Sequence, residues 1–86
     1  MTDPIADAVA RFRAKLPARI DEIEAAWRAG DGARAETAAH KLAGAAGTFG
    51  LPAAGEIARR LEAAFADGRT NGVVRDIAEL RALTKD

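Results

Sequence analysis

The chain has 86 residues, with thirteen basic and thirteen acidic side chains, one histidine, and no cysteine, tyrosine or serine, a length that holds one small domain because a second hydrophobic core would have too little interior. Without cysteine there is no disulfide scaffold, thiolate nucleophile or thiolate metal site; a lone histidine cannot build a two-histidine centre, and a serine triad lacks its serine. Zero formal net charge argues against nucleic acid as the main partner, since duplex binding neutralises phosphates with a basic excess.

The compositional extreme is alanine, at 23 of 86 positions, which favours helices packed close together. Asp3 and Pro4 read as an N-cap and a first helical position, and apolar residues then recur at Ile5, Val9, Phe12, Leu16, Ile20, Ile23 and Trp27 in steps of three and four. Pro17 lies inside this stripe, where an interior proline removes a backbone hydrogen bond at a cost of about 3 kcal/mol. The apolar phase does not jump there, so the pattern predicts a long helix from Pro4 to Ala29 kinked at Pro17, with two nearly collinear helices as the alternative.

Gly30 stops that helix and Asp31 caps the next, whose apolar residues are Ala35, Ala38, Ala39, Leu42, Ala45, Ala46 and Phe49. The very short turn predicts an antiparallel neighbour. Gly50 ends the second helix and Pro52 opens a third, with a stripe of Ala54, Ile57, Ala58, Leu61, Ala64 and Phe65, stopped by Asp67 and Gly68. Asn71 or Thr70 is predicted to cap a short last helix facing the core with Val73, Ile77, Leu80 and Leu83. No segment alternates as a half-buried strand does. The sum is an all-α protein, an antiparallel four-helix bundle of up-down-up-down order whose first helix is kinked or broken near Pro17.

Apolar runs are no longer than stretches such as 63–66, far below the roughly 20 residues needed to span a bilayer. The Met1-Thr2-Asp3-Pro4 start has no basic n-region or apolar h-region. The expectation is a cytoplasmic protein with no membrane partner. The Met1 start and the Thr84-Lys85-Asp86 end read as a stand-alone chain. Arg59 with Arg60, and Arg11 with Arg13, read as solvated helix faces, some of them able to meet an acidic partner.

On a helical wheel His40 falls about 160° from Leu42, the centre of the second apolar stripe, so its ring points to solvent and a core role is disfavoured. Glu36, Thr37, Ala43, Gly44 and Gly47 lie within one or two turns on that side. Two glycines there weaken the helix by about 1 kcal/mol each relative to alanine. Either another surface must come close to the ring, or the glycines serve tight helix packing or an early helix end. Glu36 is a candidate to bond the second ring nitrogen and set the tautomer; the alternative is a solvated glutamate.

The run Ala39-His40-Lys41-Leu42-Ala43-Gly44-Ala45-Ala46-Gly47-Thr48-Phe49-Gly50-Leu51, followed by Arg60-Leu61-Glu62 and preceded by the Ala29-Gly30-Asp31 turn, resembles the signature of histidine-containing phosphotransfer (HPt) domains. The resemblance extends over essentially the whole chain, residues 1–86, as one domain. It implies that His40 is the phosphoacceptor of a two-component phosphorelay, taking a phosphoryl group from the aspartate of a response-regulator receiver domain and passing it to another receiver aspartate. It further implies a protein without an ATP site or cofactor of its own, Mg²⁺ being carried by the receiver. The partners implied are receivers or a hybrid histidine kinase, with a monomer expected before a dimer. Gly44 corresponds to the family glycine that leaves the ring uncovered. The lysine often found three residues after the histidine is Ala43 here; Lys41, the nearest cation, points about 100° round the helix. The competing reading is a helical interaction or dimerisation module, a degenerate HPt fold that binds a kinase or receiver without carrying phosphate.

Overall fold

Backbone amides at a helix start and carbonyls at its end need partners outside the helix, and this chain supplies them at most of its junctions. In a computed structural model describing residues 3–85, the Asp3 side chain accepts the Ile5 amide at 2.9 Å, with Pro4 in the first turn of α1 (Pro4–Arg28). The Met1 start and Asp86 lie outside the described residues. α1 runs through Pro17 as one helix, so the reading of two separate helices is not what forms: the stripe's phase is continuous, and burial of Leu16 and Ile20 either side of the proline outweighs the lost hydrogen bond.

Ala29 closes α1, and Gly30 follows at φ +75°. A left-handed residue there lets the Asp31 amide reach the Ala26 carbonyl at 2.9 Å while the Gly30 amide reaches Trp27 at 3.0 Å, satisfying carbonyls that the helix end leaves over. The same pair of bonds ends α2 (Gly32–Thr48), through Leu51 to Ala46, and α3 (Pro52–Ala66), through Arg69 to Ala64. Asp31 caps α2 by accepting the Arg34 amide. At α4 (Val73–Ala82) the outcome differs from expectation. Neither Asn71 nor Thr70 is the cap: the backbone of Gly72 turns left-handed, and the Thr70 carbonyl is taken by the Val73 amide, so the helix begins one residue later.

Four helices and no strand make up the described residues. Their apolar stripes meet in one core where Ile20, Ile23, Leu42, Leu61, Val73 and Leu80 are fully buried. Trp27 and Phe49 pack against its margin half-buried, and Leu83 is exposed. α2 and α3 approach closely, with Gly55 of α3 set over Ala46 and the Ala43 carbonyl. Small residues on both helices permit that approach.

Two parts of the sequence pattern land differently from expectation. Phe12 stacks on Phe49, just past the end of α2, with ring centroids 5.0 Å apart. The two turns of α1 before Phe12 therefore outrun the 17-residue α2, and Ile5, nominally on the stripe, is 74% exposed. Arg60 is exposed, as expected, but its guanidinium is paired. It donates to buried Asp76 at 3.0 Å and to Glu79 at 3.1 Å, tying α3 to α4. Arg81 ties α4 to α1 through Asp21 at 2.9 Å and Glu24 at 2.6 Å. α4 has only ten residues, too few for its own stripe to anchor it strongly, and these cross-helix pairs supplement its packing.

Candidate functional site

His40 stands midway along α2, on the side opposite Leu42, and its side chain is 73% exposed. The ring is not loose. Its Nδ1 lies 2.8 Å from Oε2 of Glu62 on α3, a carboxylate that is itself only 29% exposed. A carboxylate accepts and cannot donate, so the bond requires the proton on Nδ1. In the neutral ring that leaves the lone pair on Nε2. Because Leu61 is fully buried and fixes the rotation of α3, its neighbour Glu62, 100° further round, is carried to the α2 side.

The other predicted residues divide into three groups. Thr37, Lys41, Gly44 and Gly47 are exposed with His40. The Thr37 hydroxyl is spent inside its own helix, donating to the Ala33 carbonyl at 3.0 Å. Gly44 and Gly47 lie within the helix, which runs on to Thr48, and a Cβ built at either would meet nothing within 4 Å. Neither an early helix end nor tight helix packing accounts for them. Glu36 is half-buried on α2, and the carboxylate that bonds the ring is Glu62, not Glu36. Ala43 is 4% exposed and does not belong to the open face: at 100° from Leu42 it turns toward α3, beneath Gly55.

The result is a smooth patch of helix, without side chains beyond Cα at two positions, that presents one oriented imidazole. Among the described residues no three groups of the His, Asp, Glu or Cys type converge as a metal site, and no helix is long and apolar enough to cross a membrane.

The chain matches the family described as Hpt domain over residues 7–86, essentially its full length, and it belongs to that family. No curated protein and no solved structure matches it. Hpt domains serve histidine phosphotransfer in two-component signalling, interacting with receiver domains or histidine kinases, as phosphotransfer modules rather than enzymes with a centre of their own. Glu62 is the residue at the His40 ring that the sequence pattern did not single out as part of the site. Its signal was present in the Leu61-Glu62 pair, but a pair on another helix has no readable distance to His40 until the helices are docked.

Proposed function

We propose that His40 is the phosphoacceptor of a phosphorelay, receiving a phosphoryl group from a receiver-domain aspartate and passing it to another, and that Nε2 is the reacting atom. The observation that carries this reading is the 2.8 Å contact between Nδ1 and Glu62, which reserves the outer nitrogen for phosphorus. The Nε2 lone pair attacks phosphorus, the bond from phosphorus to the aspartyl oxygen breaks, and the carboxylate leaves with the electron pair. No proton has to move. The ring becomes a phospho-imidazolium whose positive charge faces the Glu62 carboxylate, and the return step reverses the same bonds.

Gly44 and Gly47, with open space where a Cβ would stand, give an incoming active-site rim room to bring its aspartate in line. The transition state is loose, and its stabilisation is electrostatic; the receiver supplies that with its own Mg²⁺, so this chain needs no cofactor. Exposed Lys41 is the nearest cation on α2 to the transferred group. The same reading takes the helices as up-down-up-down antiparallel neighbours with a bend at Pro17, in a cytoplasmic monomer; the short connections and the Phe12 to Phe49 stack support that order.

The test is incubation with receiver domains carrying labelled aspartyl phosphate. Label on this chain should be acid-labile, alkali-stable and absent in His40→Gln. No transfer to folded wild-type protein from any receiver of the same organism would leave the non-phosphorylated interaction module as the function.

A further inference from the structure

The phosphotransfer reading uses α2 and α3 and leaves one row of α1 unexplained. Arg11, Lys15 and Arg19 recur every four residues and so stack along one side of the helix. Like charges at that spacing destabilise a helix. None of the three has a carboxylate at ion-pair distance among the described residues, and neither do Arg13, Arg34, Lys41, Arg59 and Lys85, whereas Arg28, Arg60, Arg69, Arg75 and Arg81 all do. With Phe12 and Phe49 the three cations line an open hollow of about 190 Å³. Its floor is the stacked Phe12 and Phe49 pair, and the Arg19 guanidinium lies 5.7 Å from the Phe12 ring centroid. The Arg19 Nε is shielded from water and has no acceptor.

The hollow ends at Phe49, the residue after Thr48. Phe49 thus ties the hollow to the C-terminal end of the histidine helix, while Glu62 of α3 bonds His40 near that helix's midpoint. Cations gather on α1, and the carboxylate at the ring comes from α3. We propose that Arg11, Lys15 and Arg19 form an electrostatic docking site for the carboxylate-rich rim of the receiver that exchanges phosphate with His40, setting the encounter rate and the rotational orientation of the complex. The proposal rests on the phosphotransfer reading. A domain that holds Mg²⁺ with carboxylates presents such a rim, and opposed charges on the two flanks of a contact favour one way round. A nucleic acid is a poor match to a chain of zero formal charge.

The experiment compares wild type with the Arg11→Glu, Lys15→Glu double variant, both positions being exposed, using receiver domains that carry aspartyl phosphate. The second-order transfer rate at low salt should fall on the order of 10-fold, and its salt dependence should flatten. Charging of His40 by phosphoramidate, which needs no receiver, should stay at the wild-type value. A double variant with wild-type rate and salt slope overturns the docking site and leaves the phosphotransfer reading intact. So does wild-type protein that partitions onto phosphatidylglycerol vesicles through these residues while receiver transfer is unaffected by their reversal. If no receiver charges wild type although phosphoramidate does, the phosphotransfer reading falls and the docking site with it.

Discussion

Glu62 reaches across from α3 to hold the Nδ1 of His40 at 2.8 Å, joining two residues 22 positions apart in the chain. The bond orients an otherwise exposed ring and, on the proposed phosphotransfer reading, faces the charge that the ring would acquire on phosphorylation. Glu62→Ala should therefore slow transfer to His40 by about 10-fold, equivalent to about 1.4 kcal/mol in the barrier. Glu62→Gln, which keeps an acceptor oxygen but no charge, should lose less. Glu62 acts through the ring, so its signature is spectroscopic as well as kinetic: ¹⁵N shifts of the imidazole should show the Nδ1–H tautomer lose population in Glu62→Ala. Glu36→Ala should transfer at the wild-type rate, and an equal loss in both variants would point to general electrostatics instead of orientation.

Helix ends were largely legible in the sequence because they are decided locally. Asp3, Asp31 and Pro52 act within a turn of where they stand, and Gly30 needs only its own left-handed backbone to close α1. The direction of His40 was legible for the same reason, since 100° per residue relates it to Leu42 without reference to another helix. What lay beyond the sequence depends on how helices dock. The wheel places Ala43 and Glu36 on the same flank of His40, one turn after it and one turn before it, yet only the position of α3 buries Ala43 and brings Glu62 to the ring. Arg60 is exposed as its sequence position suggested, but its partners Asp76 and Glu79 come from α4 and have no readable distance before the helices dock.

Gly44 and Gly47 set stability against function. A Cβ at either position meets nothing within 4 Å, so alanine fits and removes the entropy that a mid-helix glycine loses on folding. Each substitution should stabilise by about 0.5–1 kcal/mol, raising Tm by a few degrees in a domain of this size. Transfer from a receiver should nonetheless slow, most for Gly44→Ala, because the methyl occupies space beside the ring that the partner needs. Thermal melts and transfer rates on the same samples check this. Higher Tm with unchanged transfer would show that the bare patch has no part in docking.

The overrun of α1 predicts a sharp contrast between two isoleucines on one stripe. Ile20 is fully buried and Ile5 is 74% exposed. Ile20→Ala should cost about 2–5 kcal/mol through lost burial and the cavity left behind. Ile5→Ala should stay within about 0.5 kcal/mol of wild type. Urea unfolding, with m unchanged for Ile5→Ala, measures both. A large loss at Ile5 would mean that the first turns of α1 are covered in solution.

The attachment of α4 to α1 carries a pH dependence whose sign is set by Glu24. Hydrogen bonds first from Arg81 and then from Arg28 hold the Glu24 carboxyl below its ordinary value of 4.5, against a smaller opposing effect of burial. Its folded-state affinity for protons is thus weaker than in the unfolded chain, and stability rises with pH wherever the unfolded state binds more protons. The contribution is complete above about 4.5 and is lost as pH falls through the lower folded value. The carboxylate is partly solvated, so the pair is worth about 0.2–1 kcal/mol. Glu24→Gln should lower stability by that amount at pH 7, and its stability should converge on wild type as pH falls below the lowered folded value and the wild-type carboxylate protonates. Arg81→Gln should behave alike, since it removes the principal donor. High salt should narrow the pH 7 difference by screening the exposed part of the pair. A Glu24→Gln deficit that does not shrink as pH is lowered through the acid range would assign the loss to packing of the side-chain stem, leaving the charge on Glu24 without a part in seating α4.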